Sequence, residues 1–134
     1  MACERTGGRC VLIVDDDDIV RMLLEDVCRE HGWNAVSAAT RDDAVLAAGL
    51  QEVHLILLDF NLAGTDALTL IPELRMVCPR TPIVVVTGHL PEELRAGVER
   101  AGAASILGKP CSVSQIRALL DRYRGISAGR MVPA

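Results

Sequence analysis

The chain has 134 residues, half of them hydrophobic and 24% charged, with a net charge of −4. Those values describe one globular domain with a single substantial core and exclude a disordered chain. No apolar stretch nears the ~20 residues that span a membrane, and no dense basic cluster is present to grip nucleic acid.

In chain order, 11–14 is a continuous apolar run, the pattern of a strand buried on both faces. Asp17 or Asp18 can cap the next helix, which carries Ile19, Leu23, Leu24 and Val27 at helical spacing. His31 and Gly32 end it. Residues 34–39 read as a weaker, peripheral strand, and Thr40 can cap a helix over 41–50. Residues 55–58 form the most apolar short run, and 61–65 is a loop that turns at Gly64. Asp66 can cap a helix to about Val77, with Pro72 bending or interrupting its first part.

Residues 83–86 form a β-branched strand, and Pro91 suits the first turn of a helix over 92–101 that Gly102 ends. The last strand covers 105–107. Ser112 or Ser114 caps a final helix to about Arg124. Five strands alternating with five helices imply a parallel sheet with right-handed crossovers and helices on both faces.

The minor features read plainly. Five cysteines, without a CxxC pair, are expected to be small buried groups in a reducing cytoplasm. Residues 1–9 lack an apolar signal core, so a cytoplasmic location is expected. Aromatic residues make up only 2%, which counts against flavin or base stacking. His31 and His54 have no partner at ligand spacing, and Trp33 reads as an anchor between the first helix and second strand. His89 lies two residues after Thr87.

The chemistry gathers where the apolar runs stop. The first stops at Asp15 and Asp16, the third at Asp59, the fourth at Thr87, and the fifth reaches Gly108 and Lys109. Ligands of an open parallel sheet bind at the carboxyl ends of its strands. Three carboxylates there suit Mg²⁺, which takes oxygen donors. Asp59, near two other acids, should have its pKa raised unless a cation is present. With one bound, it offers a carboxylate oxygen as nucleophile. Thr87 can donate to a transferred phosphoryl oxygen. Lys109 can neutralise acid charge and hold that group, and a cis bond to Pro110 would aim its side chain back at the site.

These motifs, Val-Asp15-Asp16, Leu-Leu-Asp59, Val-Val-Thr87-Gly88 and Lys109-Pro110, resemble those of the response-regulator receiver domains of two-component signalling. The resemblance covers roughly residues 9–124, with 1–8 and 125–134 expected as flexible tails. It implies a flavodoxin-like (βα)5 fold, a five-stranded parallel sheet in the order 2-1-3-4-5 between two helix layers. It implies that Asp59 accepts a phosphoryl group from the phosphohistidine of a sensor histidine kinase or a histidine phosphotransfer protein. Asp16, Asp59 and the main-chain carbonyl of Asn61 would bind Mg²⁺, with Asp15 acting through water. Thr87 and Lys109 would contact the phosphoryl group. Such a domain is no enzyme beyond its own phosphorylation and dephosphorylation. It passes its signal to a downstream protein or its own dimer through the 92–124 face.

Two departures stand out. Ile106 occupies a place often held by Tyr or Phe, which puts switching through an aromatic in question. Ala63 and Ala67 stand where proline and glycine are usual, so the 61–66 loop is expected to differ in shape. Two rival readings stay open. One is a pseudo-receiver that binds partners without being phosphorylated. The other is a haloacid-dehalogenase-type phosphohydrolase, disfavoured because Asn61 cannot serve as its general acid.

Overall fold

The computed structural model describes residues 8–65 and 67–125. Five strands alternate with five helices: β1 (Arg9–Val14), α1 (Asp18–Glu30), β2 (Trp33–Ala38), α2 (Arg41–Leu50), β3 (Leu55–Asp59), α3 (Ala67–Val77), β4 (Ile83–Thr87), α4 (Glu92–Ala101), β5 (Ser105–Gly108) and α5 (Val113–Tyr123). All pairings are parallel, in the order β2-β1-β3-β4-β5. This is the expected topology.

Period-2 side-chain alternation divides the core in two. Leu12, Val14, Ile56, Leu58 and Val85 face one side, packed with Ala44 and Ala48 of α2, Leu70 and Leu74 of α3, and Val98 of α4. Val11, Ile13, Leu55, Leu57 and Val84 face the other, packed with Leu24 and Cys28 of α1 and Ile116 and Leu120 of α5. The central strands β1, β3 and β4 are therefore apolar at nearly every position, while β2 and β5 form the edges.

The helix ends follow local chemistry. Asp17 caps α1, accepting from the Ile19 and Val20 amides. Thr40 caps α2, accepting from the Asp43 amide. Ser112, rather than Ser114, caps α5 in a reciprocal capping box with Gln115. Asp66, the expected cap of α3, lies outside the described residues, as do most of the residues read as tails. Helix α3 continues through Pro72 without interruption. Gly102, at φ +126, ends α4, and a Cβ there would lie 2.2 Å from Arg75 Cδ. No helix among the described residues is long and apolar enough to cross a membrane.

The histidines have partners that their spacing does not reveal. His31 Nε2 lies 2.8 Å from Asp121 Oδ1, joining α1 to α5. Arg124 donates to the His31 carbonyl, and its guanidinium lies 5.8 Å from the Trp33 ring centroid.

His54 is buried where β3 begins, and its Nδ1 accepts the Cys10 amide at 3.1 Å. Nδ1 must therefore be unprotonated. Burial, aided by Arg9, lowers its pKa from 6.5. The unfolded chain then takes up this proton first as pH falls through 6.5, so His54 costs stability below that pH and none above it. Denaturant melts should show a larger loss between pH 7.5 and 5.5 for the wild type than for His54→Gln, whose amide oxygen can accept without titrating. Equal losses would contradict this role.

Candidate functional site

Sheet register brings the strand ends together. Val14 pairs with Leu58, Asp59 with Val86, and Thr87 with Gly108. Asp15 and Lys109 thus follow directly from β1 and β5, at the edge where Asp59 and Thr87 end β3 and β4. The Lys109 amide donates to the Thr87 carbonyl at 2.7 Å, and the Lys109–Pro110 peptide is cis. Asp15, Asp59 and Thr87 are buried, while Asp16 is exposed.

Asp15, Asp16 and Asp59 each offer an oxygen within 4.8 Å of the others. Lys109 Nζ stands over the group, 2.9 Å from Asp15 Oδ2 and 3.6 Å from Asp59 Oδ1. Backbone amides also orient each carboxylate. Asp15 Oδ1 takes the Asp17 amide at 2.9 Å, and Asp59 Oδ1 the Asn61 amide at 3.2 Å. Asp16 Oδ2 takes the Ala63 amide at 2.9 Å. A proline at 63 has no N–H to give. The sequence departure in this loop therefore supplies a direct tie to Asp16.

Burial raises the Asp59 pKa above 3.8, and the charges of Asp15 and Asp16 add to the rise. The Asn61 amide and Lys109 pull the other way without cancelling it. Burial alone would lower the Lys109 pKa, but its bond to Asp15 and the charges of Asp59 and Asp15 carry it above 10.5. One ammonium thus faces three carboxylates. Hard oxygen donors carrying excess negative charge fit a small divalent cation such as Mg²⁺.

The Thr87 hydroxyl donates to the His89 carbonyl at 2.9 Å and accepts the His89 amide at 3.3 Å. His89 thus engages Thr87 through its backbone. Ile106 is half-buried and packs against the same core cluster as Leu90 and Leu94. An open apolar pocket of about 520 Å³ adjoins Lys109, lined by Val20, Leu23, Val86, Pro110 and Cys111 among others.

The family model of the response regulator receiver domain matches residues 11–121. The chain belongs to the receiver domain family. The receiver resembles the transcriptional regulatory protein AruR of Pseudomonas aeruginosa, with 39% identity over 127 residues, covering 88% of this chain and 52% of AruR. It matches the transcriptional regulatory protein PdtaR of Mycobacterium tuberculosis at 34% identity, covering 90% of this chain and 60% of PdtaR. The receiver thus spans only about half the length of such relatives.

Among solved structures it matches the receiver domain of the sensor histidine kinase PA1611 of Pseudomonas aeruginosa. The TM-score is 0.79 and the identity 26%, covering 89% of this chain and 99% of that one, which holds a magnesium ion in its active-site cleft. The chemotaxis protein CheY4 of Vibrio cholerae shares the receiver fold at a TM-score of 0.83 and 24% identity, covering 87% and 99%.

Proposed function

We propose that this receiver, spanning residues 9–124, accepts a phosphoryl group on Asp59 from a phosphohistidine of a sensor kinase or histidine phosphotransfer protein. The observation that carries the reading is the buried carboxylate of Asp59 beside two other acids and one ammonium. Burial and the neighbouring acids raise its pKa, so its ionised, nucleophilic form carries a cost that further positive charge would offset.

Asp16, Asp59 and the Asn61 main-chain carbonyl would hold Mg²⁺ directly, with Asp15 acting through water. The bound cation would offset the charge of the acids and of the phosphoryl oxygens. A carboxylate oxygen of Asp59 forms the new P–O bond as the donor's P–N bond breaks, and the electron pair leaves with the imidazole. Lys109, already within reach of Asp59, then faces the transferred group as a point charge. Thr87 exchanges the His89 carbonyl for a phosphoryl oxygen, which frees the start of the β4–α4 loop. The message would leave through residues 92–124, where Leu94 of α4 and Ile106 of β5 pack against the same core cluster. It would reach a downstream protein or a second copy.

The test is intact mass after incubation with Mg²⁺ and a small phosphodonor such as acetyl phosphate. One hydroxylamine-labile phosphoryl group is expected, and a chelator should suppress it. No adduct from small donors or kinases would favour a phosphorylation-independent binding module. Continuous phosphate release from phosphomonoesters would favour a hydrolase.

A further inference from the structure

The acidic turn that follows β1 contains four consecutive aspartates, residues 15–18. Lys109 answers Asp15 from β5. From the opposite side the turn is met by Arg21, on the second turn of α1. Arg21 Nη1 donates to the main-chain carbonyl of Asp15 at 2.7 Å, and Nη2 pairs with the Asp18 carboxylate. The Arg21 side chain is only 18% exposed, so the bond is sheltered from competing water.

The carbonyl that Arg21 holds belongs to the peptide linking Asp15 to Asp16. Fixing the direction of that rigid plane sets ψ of Asp15 and φ of Asp16. It therefore sets the direction in which the Asp16 side chain leaves the backbone. The far end of that side chain is held independently by the Ala63 amide. Asp15 is anchored on its own account, by the Asp17 amide and Lys109. Asp16 is the exposed member of the acid group, and its placement depends on the peptide that Arg21 grips.

We infer that Arg21 is a positioning residue for the cation: it fixes the Asp15–Asp16 peptide so that Asp16 stands ready as a ligand. The inference rests on the Mg²⁺ reading above. Two effects of Arg21 on cation affinity oppose each other, which makes the role testable. As a nearby positive charge it should weaken cation binding; as a clamp on the ligand backbone it should strengthen it. Outer contacts that orient metal ligands typically contribute 10–100-fold in affinity. A guanidinium can grip the carbonyl and Asp18 together as a planar fork, whereas lysine is a single point charge.

Calorimetric titration of the unphosphorylated protein with MgCl₂, far below its melting temperature, separates these effects. Arg21→Met and Arg21→Lys should each weaken binding by about tenfold. The Mg²⁺ concentration for half-maximal phosphorylation should rise by the same factor, while the rate at saturating Mg²⁺ stays near that of the wild type. A residue that merely supports the fold would lower the melting temperature and leave both Mg²⁺ readouts unchanged. A residue acting only through charge would leave Arg21→Lys unchanged and make Arg21→Met bind more tightly. Either result would overturn the inference. If the wild type itself takes up no Mg²⁺, the cation reading falls, and this inference with it.

Discussion

Asp59→Asn is expected to erase the phosphoryl adduct completely and yet to raise the melting temperature in metal-free buffer. The loss is chemical, because an amide oxygen is not the nucleophile that a carboxylate is. The gain is electrostatic. In the folded protein burial and the charges of Asp15 and Asp16 disfavour ionised Asp59, and its pKa lies above the ordinary 3.8. A carboxyl group whose pKa rises on folding contributes stability while protonated and loses it as pH rises through the folded value. At pH 7 ionised Asp59 is therefore a cost, which asparagine removes while still accepting the Asn61 amide through its oxygen.

A gain of about 1 kcal/mol would move the transition of a domain this size by a few degrees. The advantage should shrink as pH falls toward 4. It should also reverse in millimolar Mg²⁺, which would stabilise the wild type through Asp59 and the variant less. Thermal melts across pH, with and without Mg²⁺, check each part. A lower melting temperature for Asp59→Asn without metal would contradict the charge argument, while a surviving adduct would move the phosphoacceptor elsewhere.

Lys109→Met is expected to act in two ways. Phosphorylation by a small donor at saturating Mg²⁺ should slow by roughly 100-fold, the usual loss when one preorganised charge or donor at a developing anion is removed. Stability should fall as well, because Asp15, 3% exposed, loses the ammonium 2.9 Å away. Breaking a fully buried pair costs about 3–5 kcal/mol. Lys109 is partly exposed, so solvent replaces some of the lost interaction, and a loss of about 2 kcal/mol is expected. Mg²⁺ should recover part of this stability without recovering the rate. Denaturant melts alongside adduct kinetics separate the two. A variant that phosphorylates at the wild-type rate would show that Lys109 serves the fold alone.

Three of the four chemical strand ends were legible because β1, β3 and β4 end in apolar runs, so the first polar residue marks the sheet edge. Asp15, Asp59 and Thr87 stand out in this way, while Lys109, after the short edge strand β5, is marked by its place before Pro110. The clustering of the acids then follows from parallel topology. What escaped detection was side-chain traffic across the fold. Nothing in the sequence marks Arg21 as the partner of the Asp15 carbonyl, since an arginine on a helix usually points to water. His54 reads as an isolated histidine until β1 is placed beside β3. His31 and Asp121 are neighbours only once α5 packs on α1. Ala63 is intermediate: its departure from the family pattern was visible, but the N–H it restores has meaning only with Asp16 opposite.

The acids come from the ends of two neighbouring strands that lie far apart in the chain, Asp15 and Asp16 after β1 and Asp59 at the end of β3. The unfolded chain has no such grouping, so a cation held there belongs to the native state alone. Its concentration then enters the folding equilibrium by mass action. Magnesium would thereby govern how long the protein survives proteolysis as well as how fast it is phosphorylated. A drop in the free ion would remove the least protected molecules, and the surviving pool would be enriched in cation-loaded receivers.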